Sequence, residues 1–307
     1  MTIVMEKNNV VEKPAARLPD FLIIGEMRCG STTLWEMLRH HPGVYFSEEK
    51  ELHFFDGRDG KWDRGIDWYS QKFSGSCEGM ICGEATPDYL FHDDACSRIA
   101  ATIPNAKLVV ILRDPVERAW SHYWHNIRRG RESLSFREAM EAERERMDSK
   151  DADIRAHFSY ATRGHYIESL RRYEEVFGKD AIHVVFLEDV KVSRKKMIEG
   201  VCGHLALEVV PEMLEERAPQ RNKAEYPRWP GLSAVARGAM KRVSGNRLLE
   251  VPARKIAELT RPLRTYSGKS EMDQDIRKQL VNSYASSNKA LSEWMGREVP
   301  WARSKND

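Results

Sequence analysis

Short apolar runs of strand length alternate along this chain with segments of helical periodicity, and that alternation restricts the fold more than any other feature. Phe21-Leu22-Ile23-Ile24, Met80-Ile81-Cys82, Lys107 to Leu112 and Ile182 to Leu187 lack the in–out alternation of a half-solvated strand. Runs of this kind belong to strands buried on both faces. Around them, Thr32 to Arg39, Trp120 to Arg129, Phe136 to Met147, Tyr166 to Phe177 and Ser193 to Leu205 carry apolar residues at helical spacing, the last with Ser193 as N-cap. A final amphipathic helix carries Ile276, Leu280, Tyr284, Leu291 and Met295 and stops at Gly296. The expected fold class is α/β, a central parallel sheet flanked by helices.

Composition narrows the setting. Of the 307 residues 31% are charged, and no apolar stretch approaches the roughly 18 residues of a membrane span. Residues 1–18 include Glu6, Lys7, Glu12 and Lys13 and have no apolar core, so they read as a flexible arm rather than a signal or an anchor. Residues 19–307 read as one domain, without repeats or a linker. Five cysteines, Cys29, Cys77, Cys82, Cys96 and Cys202, contain no C-x-x-C pair, which argues against a disulfide framework or a zinc ribbon and for a reducing, cytoplasmic setting. The net charge of +2 conceals a local excess of +9 over residues 217–264. That segment is either a solvated surface or one wall of an anion site; it lacks the interleaved aromatics and motifs of a nucleic-acid groove, and no nucleic-acid partner is expected.

The chemistry concentrates in FLIIGEMRCGSTTLWEML, residues 21–38. Gly25 and Gly30 have the spacing of a phosphate-binding loop, and Ser31 and Thr32 follow, but Ser31 stands where such loops carry Lys. Glycines let backbone N–H groups approach phosphate oxygens, and the helix that follows offers free N–H groups and the positive end of its dipole. The loop's cation is instead Arg28. Without the lysine that grips β- and γ-phosphates, γ-phosphoryl transfer is disfavoured; a tight turn with no ligand is the plainer alternative. A second segment, Arg113-Asp114-Pro115-Val116-Glu117-Arg118-Ala119-Trp120-Ser121, leaves a strand at the carboxyl edge of the sheet, where doubly wound folds bind ligands. Arg113 could grip a second phosphate with the Ser121 hydroxyl as a further donor, or simply pair with Asp114 or Glu117 at the surface.

The order GEMRCGSTTL, KELHFFD (50–56), RGIDWY (64–69), GEATPDYL (83–90), LRDPVERAWSHY (112–123), RGHYIESLRRYEEVFG (163–178) and FLEDV (186–190) resembles the sulfotransferase family. The likeness runs from about Phe21 to Trp301 and is greatest to the branch of heparan sulfate N- and 3-O-sulfotransferases and bacterial sulfotransferase-domain proteins. It implies a P-loop nucleotide-kinase-like sulfotransferase fold and the donor 3′-phosphoadenosine 5′-phosphosulfate, used without a metal. The acceptor implied is a hydroxyl or amine of a saccharide or small molecule. Carried over by residue, the 5′-phosphosulfate loop is Arg28, Cys29, Gly30, Ser31, Thr32 and Thr33, and the 3′-phosphate pair is Arg113 and Ser121. The general base falls on Glu51, with His53 in reserve; a carboxylate there can take the acceptor's proton as the nucleophile attacks sulfur. Ser267, Gly268 and Lys269 are the nearest match to a basic glycine loop over the 3′-phosphate. Two positions depart from the pattern: the loop has Arg28 where the family usually has Lys, and Ala85 stands where the heparan enzymes have Lys.

Other clusters have plainer readings. His122 and His125 have the spacing of metal ligands but no third ligand, so helix packing or acceptor contact is expected. Cys29 lies near a positive helix end without a histidine partner, which disfavours a thiol nucleophile. A P-loop kinase using ATP and Mg²⁺ and a non-catalytic nucleotide-binding module stay open as rivals.

Overall fold

The structure, a computed structural model, describes residues 17–214, 225–227, 265–267 and 270–302. In chain order its main elements are β1 (Phe21–Gly25), α1 (Ser31–Leu38), β2 (Val44–Phe46), α2 (Gly65–Gln71), β3 (Ile81–Ala85), α3 (Ala95–Thr102), β4 (Lys107–Leu112), α4 (Pro115–Arg129), α5 (Phe136–Met147), α6 (Ala152–Phe158), α7 (Tyr166–Phe177), β5 (Ile182–Phe186), α8 (Leu187–Leu205), α9 (Pro211–Leu214), β6 (Glu225–Pro227), β7 (Thr265–Ser267) and α10 (Gln274–Met295). Five strands form one sheet in the order β2-β3-β1-β4-β5, and each neighbouring pair is parallel. The parallel α/β expectation therefore holds.

Burial explains the apolar runs. All five residues of β1 are buried, as is β4 from Leu108 to Leu112. α1 packs on β1 and β4, and α8 on β4 and β5. The main core unites the strands with Leu34, Met37, Leu38, Ile99, Leu170, Ile198 and Val201. A second core joins α4, α5 and α10 through Trp120, Tyr123, Phe136, Ile276, Leu280 and Tyr284, and it fixes α4 beside the sheet.

Local signals set the helix ends. Asp114 caps α4 by accepting from the Val116 N–H at 2.8 Å, with Pro115 at the first helical position. Ser135 and Glu138 form a capping box on α5, and Gly296, at φ 68°, ends α10. Ser193 does cap a helical segment, its Oγ accepting from the Lys196 N–H at 3.3 Å. It does so at a break (φ −155°) inside α8, because the chain turns helical directly from β5 at Leu187.

The topology places the site. From β1 the chain moves outward to β2, returns to β3 beside β1, then crosses to β4 and β5 on the other side. The crevice of such a sheet opens at the carboxyl ends of the strands, where the direction of winding changes. Among the described residues, no helix is long and apolar enough to cross a membrane. Ser267 ends β7, which pairs antiparallel with β6. Gly268, Lys269 and the basic segment 217–264, apart from β6, lie outside the described residues.

Gly83, inside β3, has no room for a side chain: a Cβ there would come within 2.3 Å of Phe21 Cζ and 2.8 Å of Phe46 Cε1. Gly83→Ala should push the Phe21 and Phe46 rings off their rotamers and cost about 1–3 kcal/mol. Chemical denaturation of the two proteins measures it, and equal stability would refute this account of the glycine.

Candidate active site

The loop after β1 carries most of the carboxyl edge. Gly30 sits at φ 102°, a left-handed conformation that suits glycine, and a Cβ there would reach within 2.8 Å of Leu187 Cδ1. Arg28 is also left-handed, at φ 71°. Thr33 N–H and Leu34 N–H bond back to the Gly30 carbonyl at 2.9 and 3.2 Å. The N–H groups of Ser31 and Thr32, first in α1, have no acceptor within the helix. Ser31 is buried, Thr33 half-buried and Thr32 exposed. Cys29 is buried against Tyr166, and burial, aided by Glu26, pushes its thiol up to about 12. This is a packing residue, not a thiolate.

Arg28 Nε donates to Ser121 Oγ at 3.2 Å, joining the loop to the second turn of α4. The sequence assigned these two residues to different anion groups; the fold brings them together. Arg113 stands at the end of β4, its carbonyl accepting from Tyr166 Oη at 2.8 Å. Its guanidinium lies 3.6 Å from Glu117, which Arg277 also engages at 2.6 Å. The surface pairing open to Arg113 is thus the one it makes.

Glu51 and His53 lie on the loop that passes the end of β3, the Glu51 N–H bonding the Ala85 carbonyl at 3.2 Å. Both are left-handed, at φ 61° and 53°. The Glu51 side chain is 42% exposed, with Lys50 Nζ on Oε1 at 2.6 Å and His53 Nε2 4.0 Å from Oε2. The His53 ring has a defined tautomer. Arg58 can only donate, and its Nη1 lies 3.0 Å from His53 Nε2, so that nitrogen holds the lone pair. Nδ1 then carries the hydrogen and donates to Asp56 Oδ2 at 2.6 Å.

Beneath these loops runs a charge network that the sequence reading did not anticipate. Arg163, buried, places Nε 2.8 Å from Glu26 Oε1 and Nη1 2.7 Å from Asp88 Oδ1. Asp88 Oδ2 receives Arg58 Nη2 at 3.1 Å. Burial pushes the Asp88 carboxyl up, but Arg163 and Arg58 outweigh it and hold the group well below the usual carboxylate range. His53, Asp56 and Asp88 present ligand-type atoms within 4.8 Å of one another, yet Arg58 already supplies the positive charge among them. Each of these residues except Arg58 lies inside a quoted motif, the sequence signal they leave. Of the two α4 histidines, His122 is buried near Arg118, and burial with the Arg118 charge keeps its imidazole neutral. Burial and the Arg28 charge push His125 down to about 3.

A match to the sulfotransferase domain family covers residues 18–226. The chain belongs to that family. It is 34% identical over 170 residues to the membrane-associated sulfotransferase kil1 of Dictyostelium discoideum, a match covering 54% of this chain and 33% of that protein. It is 36% identical over 133 residues to heparan sulfate glucosamine 3-O-sulfotransferase 3A1 of Mus musculus, covering 42% of this chain and 33% of that one. The matched stretch thus spans about a third of the length of these sulfotransferases. A sulfotransferase from Alicyclobacillus acidocaldarius superposes with a TM-score of 0.68 at 25% identity, covering 94% of this chain and 100% of the other.

Because Asp88 serves two guanidiniums, Asp88→Asn leaves buried positive charge uncompensated and should cost this sulfotransferase-family chain about 3–5 kcal/mol at pH 7. The sign of the pH effect follows from the depressed pKa. Asp88's contribution is complete above the unfolded value, near 4, and is lost as pH falls through the lower folded value. The gap between wild type and variant should therefore shrink below about pH 4 in urea titrations. A gap independent of pH would show that Asp88 acts by shape alone.

Proposed function

We propose that the protein transfers the sulfuryl group of 3′-phosphoadenosine 5′-phosphosulfate to a hydroxyl or amine of a saccharide or small-molecule acceptor. The observation that carries the reading is the cluster at the carboxyl edge: a lysine-free glycine loop whose Arg28 reaches Ser121, with the solvent-facing carboxylate of Glu51 on the next loop. Family membership supports sulfuryl rather than phosphoryl transfer. The five cysteines are unpaired, which suits a reducing, cytoplasmic site of action.

In this reading the loop from Arg28 to Thr33 receives the 5′-phosphosulfate through backbone N–H groups and the Arg28 guanidinium. The acceptor oxygen or nitrogen forms the new bond to sulfur in line with the breaking bond to the 5′-phosphate oxygen. The electron pair leaves with 3′-phosphoadenosine 5′-phosphate, where Arg28 stabilises the developing charge. Glu51 takes the acceptor's proton. It suits that role better than His53, whose Nε2 lone pair is engaged by Arg58. Incubating the protein with donor carrying radiolabelled sulfate and a panel of saccharides, phenols and amines tests the activity; no labelled product across the panel counts against it.

Glu51→Gln keeps the side chain's shape and removes its proton acceptance. Turnover should fall about 10²–10⁴-fold while affinity for adenosine 3′,5′-bisphosphate stays nearly constant. Unchanged turnover would remove Glu51 from the mechanism. Arg113 gives a separate test of the 3′-phosphate site. Charge-assisted bonds contribute about 1.5–3 kcal/mol, so Arg113→Ala should weaken bisphosphate binding roughly tenfold to more than a hundredfold and leave AMP binding almost unaltered. Calorimetry with both nucleotides decides; a variant that keeps the full preference for the bisphosphate places that site elsewhere.

A further inference from the structure

The Glu84 carboxylate is 1% exposed and lies one residue before Ala85, yet it touches none of the groups discussed above as reacting. Three hydroxyls surround it: Tyr69 Oη at 2.5 Å on Oε2, with Thr86 Oγ1 at 2.6 Å and Tyr89 Oη at 2.8 Å on Oε1. Their hydrogens can be placed by accounting. Tyr89 Oη accepts the N–H groups of Phe54 at 2.9 Å and Phe55 at 3.3 Å, so its own hydrogen points to Glu84. Thr86 Oγ1 accepts the His53 N–H at 3.4 Å, so its hydrogen also points to Glu84. Tyr69 completes the set as a third donor. Burial raises the Glu84 pKa, and these donated bonds offset part of the cost of keeping an acceptor there.

Through two hydroxyls the carboxylate thus reaches three consecutive amides of the loop, those of His53, Phe54 and Phe55. That loop needs holding. Glu51 and His53 are non-glycine residues at φ 61° and 53°, a left-handed conformation that L-residues rarely adopt unless their surroundings hold them there. We propose that Glu84 and Tyr89 are positioning residues: the carboxylate orients the Tyr89 hydroxyl so that its lone pairs pin the Phe54 and Phe55 amides, and this fixes the pose of the Glu51–His53 segment. The link to catalysis rests on the reading of Glu51 as base; the link to loop geometry does not.

Tyr69 supplies the control that separates positioning from plain stability. It bonds the same carboxylate but no loop amide, and Tyr69→Phe retains the ring that stacks on Phe54 at 4.3 Å. Both Tyr89→Phe and Tyr69→Phe should lower the melting temperature by similar amounts. Only Tyr89→Phe should speed amide hydrogen exchange at residues 53–55, by about tenfold or more. Hydrolysis of 3′-phosphoadenosine 5′-phosphosulfate, with water as the acceptor, supplies the second readout. Its kcat should drop about tenfold or more in Tyr89→Phe with the donor KM within about twofold, and should change less than about threefold in Tyr69→Phe. Glu51→Gln, run alongside, tests the base reading separately: if it hydrolyses donor like wild type, that reading fails and the exchange data alone decide the positioning. Equal exchange at residues 53–55 in the two tyrosine variants, or equal losses of kcat, would overturn the proposal.

Discussion

The Arg163 guanidinium, enclosed between Glu26 and Asp88, is the contact on which the carboxyl edge of the sheet depends. Removing a guanidinium from water costs several kcal/mol unless carboxylates meet it at close range. Here two do, at 2.8 and 2.7 Å, and the Phe91 ring lies 4.9 Å from its central carbon. Glu26 opens the loop after β1, Asp88 follows β3, and Arg163 precedes α7. Three crossovers that leave different strands are therefore tied at one point. Glu26 also turns its Oε1 to the Met27 N–H at 2.6 Å, so the same carboxylate that answers Arg163 shapes the entry to the glycine loop.

That arrangement explains what could be read from the sequence and what could not. β4, α5 and α7 fall on the residues their patterns indicate, because continuous burial or a single apolar face dictates both pattern and element. β2 escaped, being only Val44–Phe46 with two of its residues half-buried. β3 runs on to Ala85 past the Cys82 where its apolar run stops, since Gly83 and Glu84 interrupt the pattern while remaining buried. Arg28, Ser121 and Glu51 could be named as candidates because they lie in contiguous motifs. Asp88 and Arg163, 75 positions apart, were not identified as partners: an ion pair across crossovers leaves no period in the chain.

The substitution of arginine for the usual loop lysine has a geometric reading. A lysine presents one nitrogen, which must divide its hydrogens between α4 and any anion in the loop. A guanidinium carries five N–H groups in a fixed fork, so an Nε bond to Ser121 does not exhaust it. Arg28 is therefore oriented by α4, which the second hydrophobic core holds in place. Position 85 offers only a buried methyl group, and the cation beside the Glu51 carboxylate is Lys50, the preceding residue, at 2.6 Å.

The two networks meet at His53. Its backbone N–H is taken by Thr86, which answers to Glu84; its ring is fixed by Asp56 and by Arg58, which answers to Asp88. Backbone and ring of one left-handed residue are thus held from the same short segment, 84–89, that follows the central part of the sheet. Moving that segment would displace the His53 amide through Thr86 and the ring through Arg58 together, and through Asp88 it would also disturb Arg163 and the start of the glycine loop. The glycine loop and the loop bearing Glu51 are separated by α1 and β2 and share no helix. Their relative placement is set instead by two buried carboxylates, Glu84 and Asp88, one answered by hydroxyls and the other by guanidiniums.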